Sequence, residues 1–300
     1  MPSKLTKSTE FGYRELSDKP SESELSEYYE EKYYQEGARS YEVEYSSDEL
    51  EYIQNKIDQK FLILNDFIDI VPKNSKRFLD VGCGEGFVLR HSKDLGFSVK
   101  GIDFSEYGVQ KHNPSVFKNF LKGNIFELLD IEIKNSCKYD VVWLENVLEH
   151  VLDPVSLMNS IHKIIDEKGI LVITVPNDFS FIQDYLIKNN LIDEEYWIAS
   201  PDHISYFNSS NIERFLNLNG WSIEELTGDF PIEWYLMNES SNYNKNKHVG
   251  KNAHLSRISI ENLIARQDPI LVRDVWTSLA KVGATRNITM FLSRNNKSPG

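Results

Sequence analysis

Arg77-Phe78-Leu79-Asp80-Val81-Gly82-Cys83-Gly84-Glu85-Gly86 decides how this chain is read. A short apolar run passes into three glycines at alternate positions, then into a helical pattern over 87–95 that stops at Gly96. Glycines at such a junction let the backbone turn tightly and let a ligand approach a helix N-terminus with no Cβ in the way. A dinucleotide site uses the same geometry, but with the spacing G-x-G-x-x-G, whereas this loop reads G-x-G-x-G. Asp80 stands two residues before the first glycine and Glu85 lies inside the loop. Both carboxylates would repel a pyrophosphate and favour a ligand that carries an ammonium and a sulfonium but no phosphate.

Downstream of this turn, strand and helix patterns alternate. Strands are predicted over 98–103, near 119–122, over 139–145 and over 169–176. Asp153-Pro154 opens a helix that reaches about Glu167, with proline at the favoured first position. Such alternation predicts a parallel sheet with helices on both faces. After 176 the rhythm breaks into an aromatic-rich excursion (177–208). A helix over 209–219, capped by Ser209 or Ser210, and strands over 221–228 and 286–294 follow. The segment between those two strands is too long for a hairpin loop and is read as an inserted cap with a helix pair over 254–282.

Upstream, residues 48–70 have apolar positions at helical spacing, with Asp48 as N-cap and Pro72 as the stop. Residues 25–45 are rich in tyrosine and acids, and residues 1–24 are polar enough to read as a flexible tail. The expected organisation is tail 1–24, helical N-terminal lid 25–72, ligand-binding domain 73–232, cap insertion 233–285, and last strand and tail 286–300. The expected fold is a seven-stranded, doubly wound, Rossmann-like α/β sheet, mostly parallel, with an antiparallel last strand.

Three hundred residues, 40% hydrophobic and 26% charged, suit one large globular domain and exclude a fibrous or wholly disordered chain. The net charge of −13 argues against sequence-independent nucleic-acid binding. Residues 241–300 differ, with ten basic and three acidic side chains. That segment either packs on acidic neighbours or meets an anionic group. Two cysteines make no disulfide framework, no apolar run is long enough to span a membrane, and the first residues lack a signal-peptide core. A cytoplasmic protein is expected, with a homodimer among the partners considered.

Five stretches together resemble the class I S-adenosylmethionine-dependent methyltransferases: LDVGCGEG (79–86), GIDFS (101–105), YDVVWLENVLEHVLDP (139–154), GILVITVPN (169–177) and PDHISYF (201–207). The run VLEHVLDP is most similar to the subgroup with ubiquinone-type O-methyltransferases and many saccharide and natural-product methyltransferases. The resemblance implies a fold, a donor and a set of roles. Gly82, Cys83, Gly84 and Gly86 would hold the methionine part, with Asp80 near its ammonium. Asp103 would hold the ribose, although alone it reads equally as a turn residue, and Phe104 would flank the adenine. Asn124 and Ile125 follow the third strand of the domain, where the family usually has an acid. Glu145 and Asn146 would line the site near the reactive methyl, and the family often has an acid at the latter position. Tyr34 and Gln35 are the lid residues that would reach the cofactor carboxylate, unless the tyrosine face simply packs on the core.

For a hydroxyl acceptor, a base that titrates near neutral pH is suited. His203 is the first candidate, with Asp202 orienting it, and His150 the second; a structural histidine is the competing reading of each. Tyr206, Trp234, His254 and Arg257, with Lys251, are candidate substrate contacts. Asp202 and Glu145 aside, no dense acidic motif suggests a metal, and none is expected. The expected acceptor is a small molecule, first a hydroxyl of a sugar, nucleotide-linked sugar or phosphorylated glycan precursor. Alternatives are a quinone or phenol, or a non-catalytic binding protein that keeps the fold.

Overall fold

The computed structural model describes residues 5–25, 27–28, 44–68 and 76–295. The central strands are β3 (Arg77–Val81), β4 (Ser98–Asp103), β5 (Phe120–Lys122), β6 (Tyr139–Glu145), β7 (Ile165–Pro176), β9 (Trp221–Gly228) and β10 (Asn287–Arg294). They form one seven-stranded sheet in the order β5-β4-β3-β6-β7-β10-β9. The strands from β5 to β7 pair in parallel, and β10 runs antiparallel between β7 and β9. This is the expected seven-stranded methyltransferase sheet with its reversed last strand.

Alternation along the strands divides the core between two faces. Val142 and Leu144 pack with Leu79, Val81, Leu171 and Ile173 under α5 (Pro154–Ile164), which contributes Leu157 and Ile161. Val141 and Trp143 point the other way, where Phe78, Val172 and Phe291 meet Ile57, Phe61 and Leu64 of α1 (Ser47–Leu64) and Leu89 of α2 (Phe87–Asp94). Burying apolar side chains on both faces of one sheet is what holds the strand ends in a fixed row.

The helix expected from 48 begins one residue earlier, because Ser46 rather than Asp48 caps it. The Ser46 hydroxyl accepts from the Glu49 N–H, and the Glu49 carboxylate accepts from the Ser46 N–H. Helix α5 ends at Ile164, and β7 starts at Ile165, earlier than the glycine at 169 suggests. Gly169 cannot bear a side chain there, since a Cβ would lie 2.7 Å from Ile165 Cγ1 and 2.9 Å from the Tyr139 carbonyl oxygen. The helix after 209 runs over Ile212–Leu218. Its entry is held by Asn208, whose Oδ1 accepts from the N–H groups of Ser210 and Asn211, not by a capping serine. The aromatic-rich excursion contains a helix, α6 (Phe181–Lys188), started by a Ser180/Gln183 capping box.

The N-terminal segment departs most from expectation. Residues 6–16 are not a tail: β1 (Thr6–Ser8) and β2 (Arg14–Leu16) form an antiparallel pair, and β2 also pairs with β8 (Ser205–Tyr206). Tyr13 and Leu16 are buried in this otherwise polar stretch and supply the anchorage that composition hides. Between β9 and β10, two helices, α8 (Gly250–Ala265) and α9 (Pro269–Lys281), occupy the inserted segment. Tyr34 and Gln35 lie outside the described residues. Among the described residues, no helix is long and apolar enough to cross a membrane.

Gly82 has φ +71°, and a Cβ there would sit 2.4 Å from Val147 Cγ2. Gly82→Ala is therefore expected to cost about 1–3 kcal/mol from overpacking. Urea unfolding of the variant checks this.

Candidate active site

The first turn of the sheet is built by its own backbone bonds. The N–H groups of Gly82 and Cys83 donate to the Ile102 carbonyl at 2.8 and 3.2 Å. Gly86 N–H donates to the Cys83 carbonyl at 2.8 Å and caps α2 with a φ of +76°. Asp103, at the end of β4, is buried, and its carboxylate accepts from the N–H groups of Gly84 (2.9 Å) and Ser105 (3.0 Å). Burial pushes the Asp103 carboxyl up, against the pull of those N–H donors. Asp103 thus ties the glycine turn to the second strand end.

In front of the glycines lies a cavity of about 470 Å³. Its floor is Asp80, Gly82, Cys83, Gly84, Glu85 and Gly86, its side is Glu145 and Asn146, and its opposite wall comes from α1 and α8. Asp80 is buried, and its Oδ2 has no hydrogen-bond partner. Burial first, then the nearby charges of Glu145 and Asp103, hold the Asp80 carboxyl well above its ordinary range. A buried carboxylate oxygen left unmatched is costly, and an arriving ammonium would relieve it. The residues present therefore fit a cationic amino-acid ligand. Cys83 packs in the loop; burial, then Asp80 and Asp103, push its thiol up, which opposes a reactive thiolate.

Glu145 carries a partner that the sequence pattern did not reveal. Lys60 of α1 is buried and donates from Nζ to Glu145 Oε1 at 2.5 Å, while Trp143 Nε1–H donates to Oε2 at 3.1 Å. Burial alone would raise the Glu145 carboxyl, but the Lys60 charge and hydrogen bond outweigh it and lower it. One turn back, Lys56 donates to the Tyr52 hydroxyl (3.2 Å) and to Asp229 (3.0 Å). Lys56 and Lys60 interrupt an apolar helical stripe at a spacing of four, and that was the available signal. Lys60→Met removes the cation beside Glu145, whose side chain is 29% exposed and keeps the Trp143 N–H, and is expected to cost about 1–3 kcal/mol of folding stability. Chemical denaturation measures it, and the double variant Lys60→Met/Glu145→Gln should recover most of the loss.

Asn146 sits at the exposed rim with φ +54°, a conformation uncommon outside glycine that aims its backbone at the cavity edge. Phe104, Asn124 and Ile125 follow β4 and β5, outside the cavity lining. Asn124 is exposed, and its side-chain carbonyl accepts from the Phe126 N–H as the cap of α4 (Ile125–Lys134).

A second group gathers after β6 and before β8. His150 Nδ1 lies 2.8 Å from the Asp202 carbonyl oxygen and 3.3 Å from Asp202 Oδ1. The rings of His150 and His203 meet edge to face at 4.8 Å. The sequence pattern paired Asp202 with His203; the structure engages it with His150. Burial works against the His150 charge, but the Asp202 hydrogen bond and the Glu149 charge more than compensate and raise its pKa. Glu149 was missed by sequence reasoning. It is 1% exposed, neither carboxylate oxygen has a hydrogen-bond partner, and burial pushes it up to about 7 despite His150 nearby. Ligand atoms of Glu149, His150 and His203 all lie within 4.8 Å of one another, close enough to hold a metal ion. The absence of an acidic motif in the sequence therefore does not decide the question of a metal here.

The Glu149 shift has a sign that can be measured. The unfolded carboxyl ionises near 4.5 and the folded one near 7, so the folded state binds the extra proton between them. Stability is lost as pH climbs through that window. His150 acts in the same direction above its ordinary 6.5. Glu149→Gln is expected to flatten the decline between pH 4.5 and 7 and to raise Tm at pH 8, by differential scanning calorimetry.

The remaining candidates separate. Tyr206 is fully buried, and its hydroxyl donates to the His203 carbonyl at 2.8 Å, so it supports the histidine loop rather than facing a substrate. Trp234 is half-exposed on a turn over Ile232–Met237, outside the cavity lining, with its ring 6.2 Å from that of Phe230. His254 lines the cavity, 3.9 Å from Glu49, and Arg257 lies over the Tyr52 ring at 5.3 Å with Nη2 3.2 Å from His254 Nδ1. Lys251 is exposed on the same helix.

A parallel sheet with a reversed last strand, a glycine turn after its first parallel strand and an unmatched buried carboxylate beneath that turn mark a class I S-adenosylmethionine-dependent methyltransferase. The family described as "Methyltransferase domain" matches residues 50–226, and the chain belongs to it. It is 30% identical over 184 residues to the ubiquinone biosynthesis O-methyltransferase of Rickettsia bellii (strain OSU 85-389), covering 60% of this chain and 71% of that protein. The protein of the same name from Pelagibacter ubique is 28% identical over 201 residues, 64% of this chain and 81% of its own. Among solved structures, a SAM-dependent methyltransferase from Archaeoglobus fulgidus aligns with 90% of this chain and 99% of its own, at 17% identity and a TM-score of 0.49.

Proposed function

We propose that the protein transfers the methyl group of S-adenosylmethionine to a hydroxyl oxygen of a small molecule, with a phenol or catechol as the acceptor class. The observation that carries the donor assignment is the unmatched, buried Asp80 oxygen beneath the glycine turn. S-adenosylmethionine supplies an electrophilic methyl on a sulfonium; what the chain must add is alignment, a dry site and a proton acceptor. Asp80 would take the ammonium, and Gly82, Gly84 and Gly86 would leave room for the methionine backbone. Asp103 would offer the remaining lone pairs of its carboxylate to the ribose. Glu145 and Asn146 would border the methyl.

At the acceptor, His150 or His203 would remove the hydroxyl proton. Asp202 supports the imidazolium of His150, because its carboxylate lies 3.3 Å from Nδ1. A phenol loses its proton far more readily than a sugar alcohol, so a histidine suffices. The relatives named above are ubiquinone biosynthesis O-methyltransferases, which favours the phenolic reading over the sugar first expected. His254, Arg257 and Lys251 remain candidates for an anionic group on the acceptor.

One observation favours a variant of this reading. Glu149, His150 and His203 form a two-imidazole, one-carboxylate set that suits a divalent transition ion. There they would hold a cation that acidifies a catechol hydroxyl. The test is methyl transfer from labelled donor to 3,4-dihydroxybenzoate, to simple phenols and to nucleotide sugars, with and without a chelator. Turnover of catechols that survives chelation supports the histidine base, and turnover lost to chelation and restored by a divalent ion supports the cation. Binding of S-adenosylhomocysteine with no turnover on any acceptor favours a non-catalytic protein.

A further inference from the structure

The loop that carries His203 is gripped from two sides. Ile204 N–H and Ser205 N–H both donate to the Glu149 carbonyl, at 2.8 and 3.1 Å. From the opposite side, Leu16 N–H donates to the Ile204 carbonyl at 2.9 Å, and β2 pairs Arg14 with Tyr206 and Glu15 with Ser205. The residues next to His203 are thus the middle strand of a clamp whose outer jaws are the N-terminal hairpin and the Glu149-His150 turn. Just past the hairpin, Lys19 Nζ donates to the Leu152 carbonyl at 3.2 Å, two residues beyond His150.

The hairpin is itself anchored well enough to transmit position. Arg14 donates to the Thr6 side chain at 2.8 and 3.0 Å across the hairpin, and its guanidinium lies 4.8 Å from the centre of the Phe179 ring. The Tyr13 ring packs on Phe207 at 4.9 Å and on Phe215 at 5.3 Å. Leu16 is buried with Ile182, Leu186, Trp197 and Tyr206. Beyond the hairpin itself, these contacts fall between Phe179 and Phe215, on both sides of His203 in the chain, and none of them is to the glycine turn.

We infer that the N-terminal hairpin, residues 6–17, is a positioning element of the acceptor site: it sets the placement of His203 against His150 and leaves the donor pocket untouched. This rests on the proposed role of the two histidines. The physical reason is that a histidine pair in edge-to-face contact has no covalent link nearer than the backbone on either side. Its geometry is set by those two backbone segments together with the contact of His150 Nδ1 to Asp202, and Leu16 N–H supplies one of the bonds that fix the segment carrying His203 and Asp202.

The experiment is NMR of the full chain at one fixed pH, reading the NOE between the His150 and His203 rings and the backbone amides around them, alongside Leu16→Pro and Leu16→Val. Proline removes the N–H to Ile204, and valine keeps it. The parent rings meet edge to face at 4.8 Å and should give a clear NOE. In Leu16→Pro that NOE is expected to weaken or vanish, with moved amide signals next to His203, and Leu16→Val should match the parent. S-adenosylhomocysteine affinity should stay within about twofold in both variants, as for sites that share no partners. An unchanged inter-ring NOE in Leu16→Pro, or a parallel loss of S-adenosylhomocysteine affinity, overturns the inference. If Leu16→Pro does not fold, Arg14→Ala decides, since it loosens the hairpin without touching the backbone donor; a smaller loss of the NOE is expected, and no loss overturns the inference. Failure of the wild-type chain to methylate any hydroxyl would instead strike the proposed function, and the NOE is read independently of turnover.

Discussion

Asp80→Asn is expected to weaken S-adenosylmethionine binding by about ten- to a hundredfold, the worth of one charge-assisted hydrogen bond in a buried site. Asp80 is buried, carries an oxygen with no partner, and shares its surroundings with Glu145 and Asp103. Its carboxyl is therefore held above its ordinary range until a cation arrives. The amide keeps the shape and loses the charge. The ligand 5′-methylthioadenosine has no amino-acid part, so its affinity should barely change in the variant. Binding of the full cofactor should also release a proton as Asp80 ionises. Affinity is then expected to rise with pH across the range where the empty site holds that proton, and the calorimetric heat should depend on the ionisation enthalpy of the buffer.

The second large effect falls on turnover. His150→Ala and His203→Ala are each expected to lower kcat roughly 10²- to 10⁴-fold if the histidine removes the acceptor proton, with little change in donor affinity. The pH profile separates the two. His150 is raised by the Asp202 hydrogen bond and the Glu149 charge, so the limb that reports its neutral form should lie above 6.5. Asp202→Asn removes a charge and weakens a hydrogen bond, and should move that limb to lower pH. If His203 alone is the base, Asp202→Asn leaves the limb in place and His150→Ala retains most of the activity.

Much of this site was legible before any coordinates. The G-x-G-x-G turn, the acid at Asp80 and the alternation of apolar runs with helical patterns follow from local rules, and they place the donor loop at the end of the first parallel strand. His150, Asp202 and His203 were also legible as a set, because segments that follow neighbouring strands meet at the carboxyl edge of such a sheet. Pairing within that set was not, since it depends on rotamers and on a loop path that no periodicity encodes. Nothing in the local pattern around Glu149 marks it as buried. Lys60 lies under its helix against Glu145, at a depth set by tertiary packing that helical spacing does not encode. The N-terminal hairpin was hidden by composition. Polar residues with Phe11, Tyr13 and Leu16 scattered among them resemble a solvated tail, and only the long-range pairing with Ser205 and Tyr206 makes them strands. Tyr206 and Trp234 show the converse error: aromatic residues near a predicted site were assigned to substrate, whereas one supports a backbone and the other sits on a separate turn.

Isothermal titration of the purified chain with S-adenosylhomocysteine tests the central claim most directly. A single site of micromolar or tighter affinity, weakened about ten- to a hundredfold by Asp80→Asn and indifferent to NAD⁺, is the expected result. No heat at millimolar ligand, or a site that NAD⁺ fills instead, would contradict it.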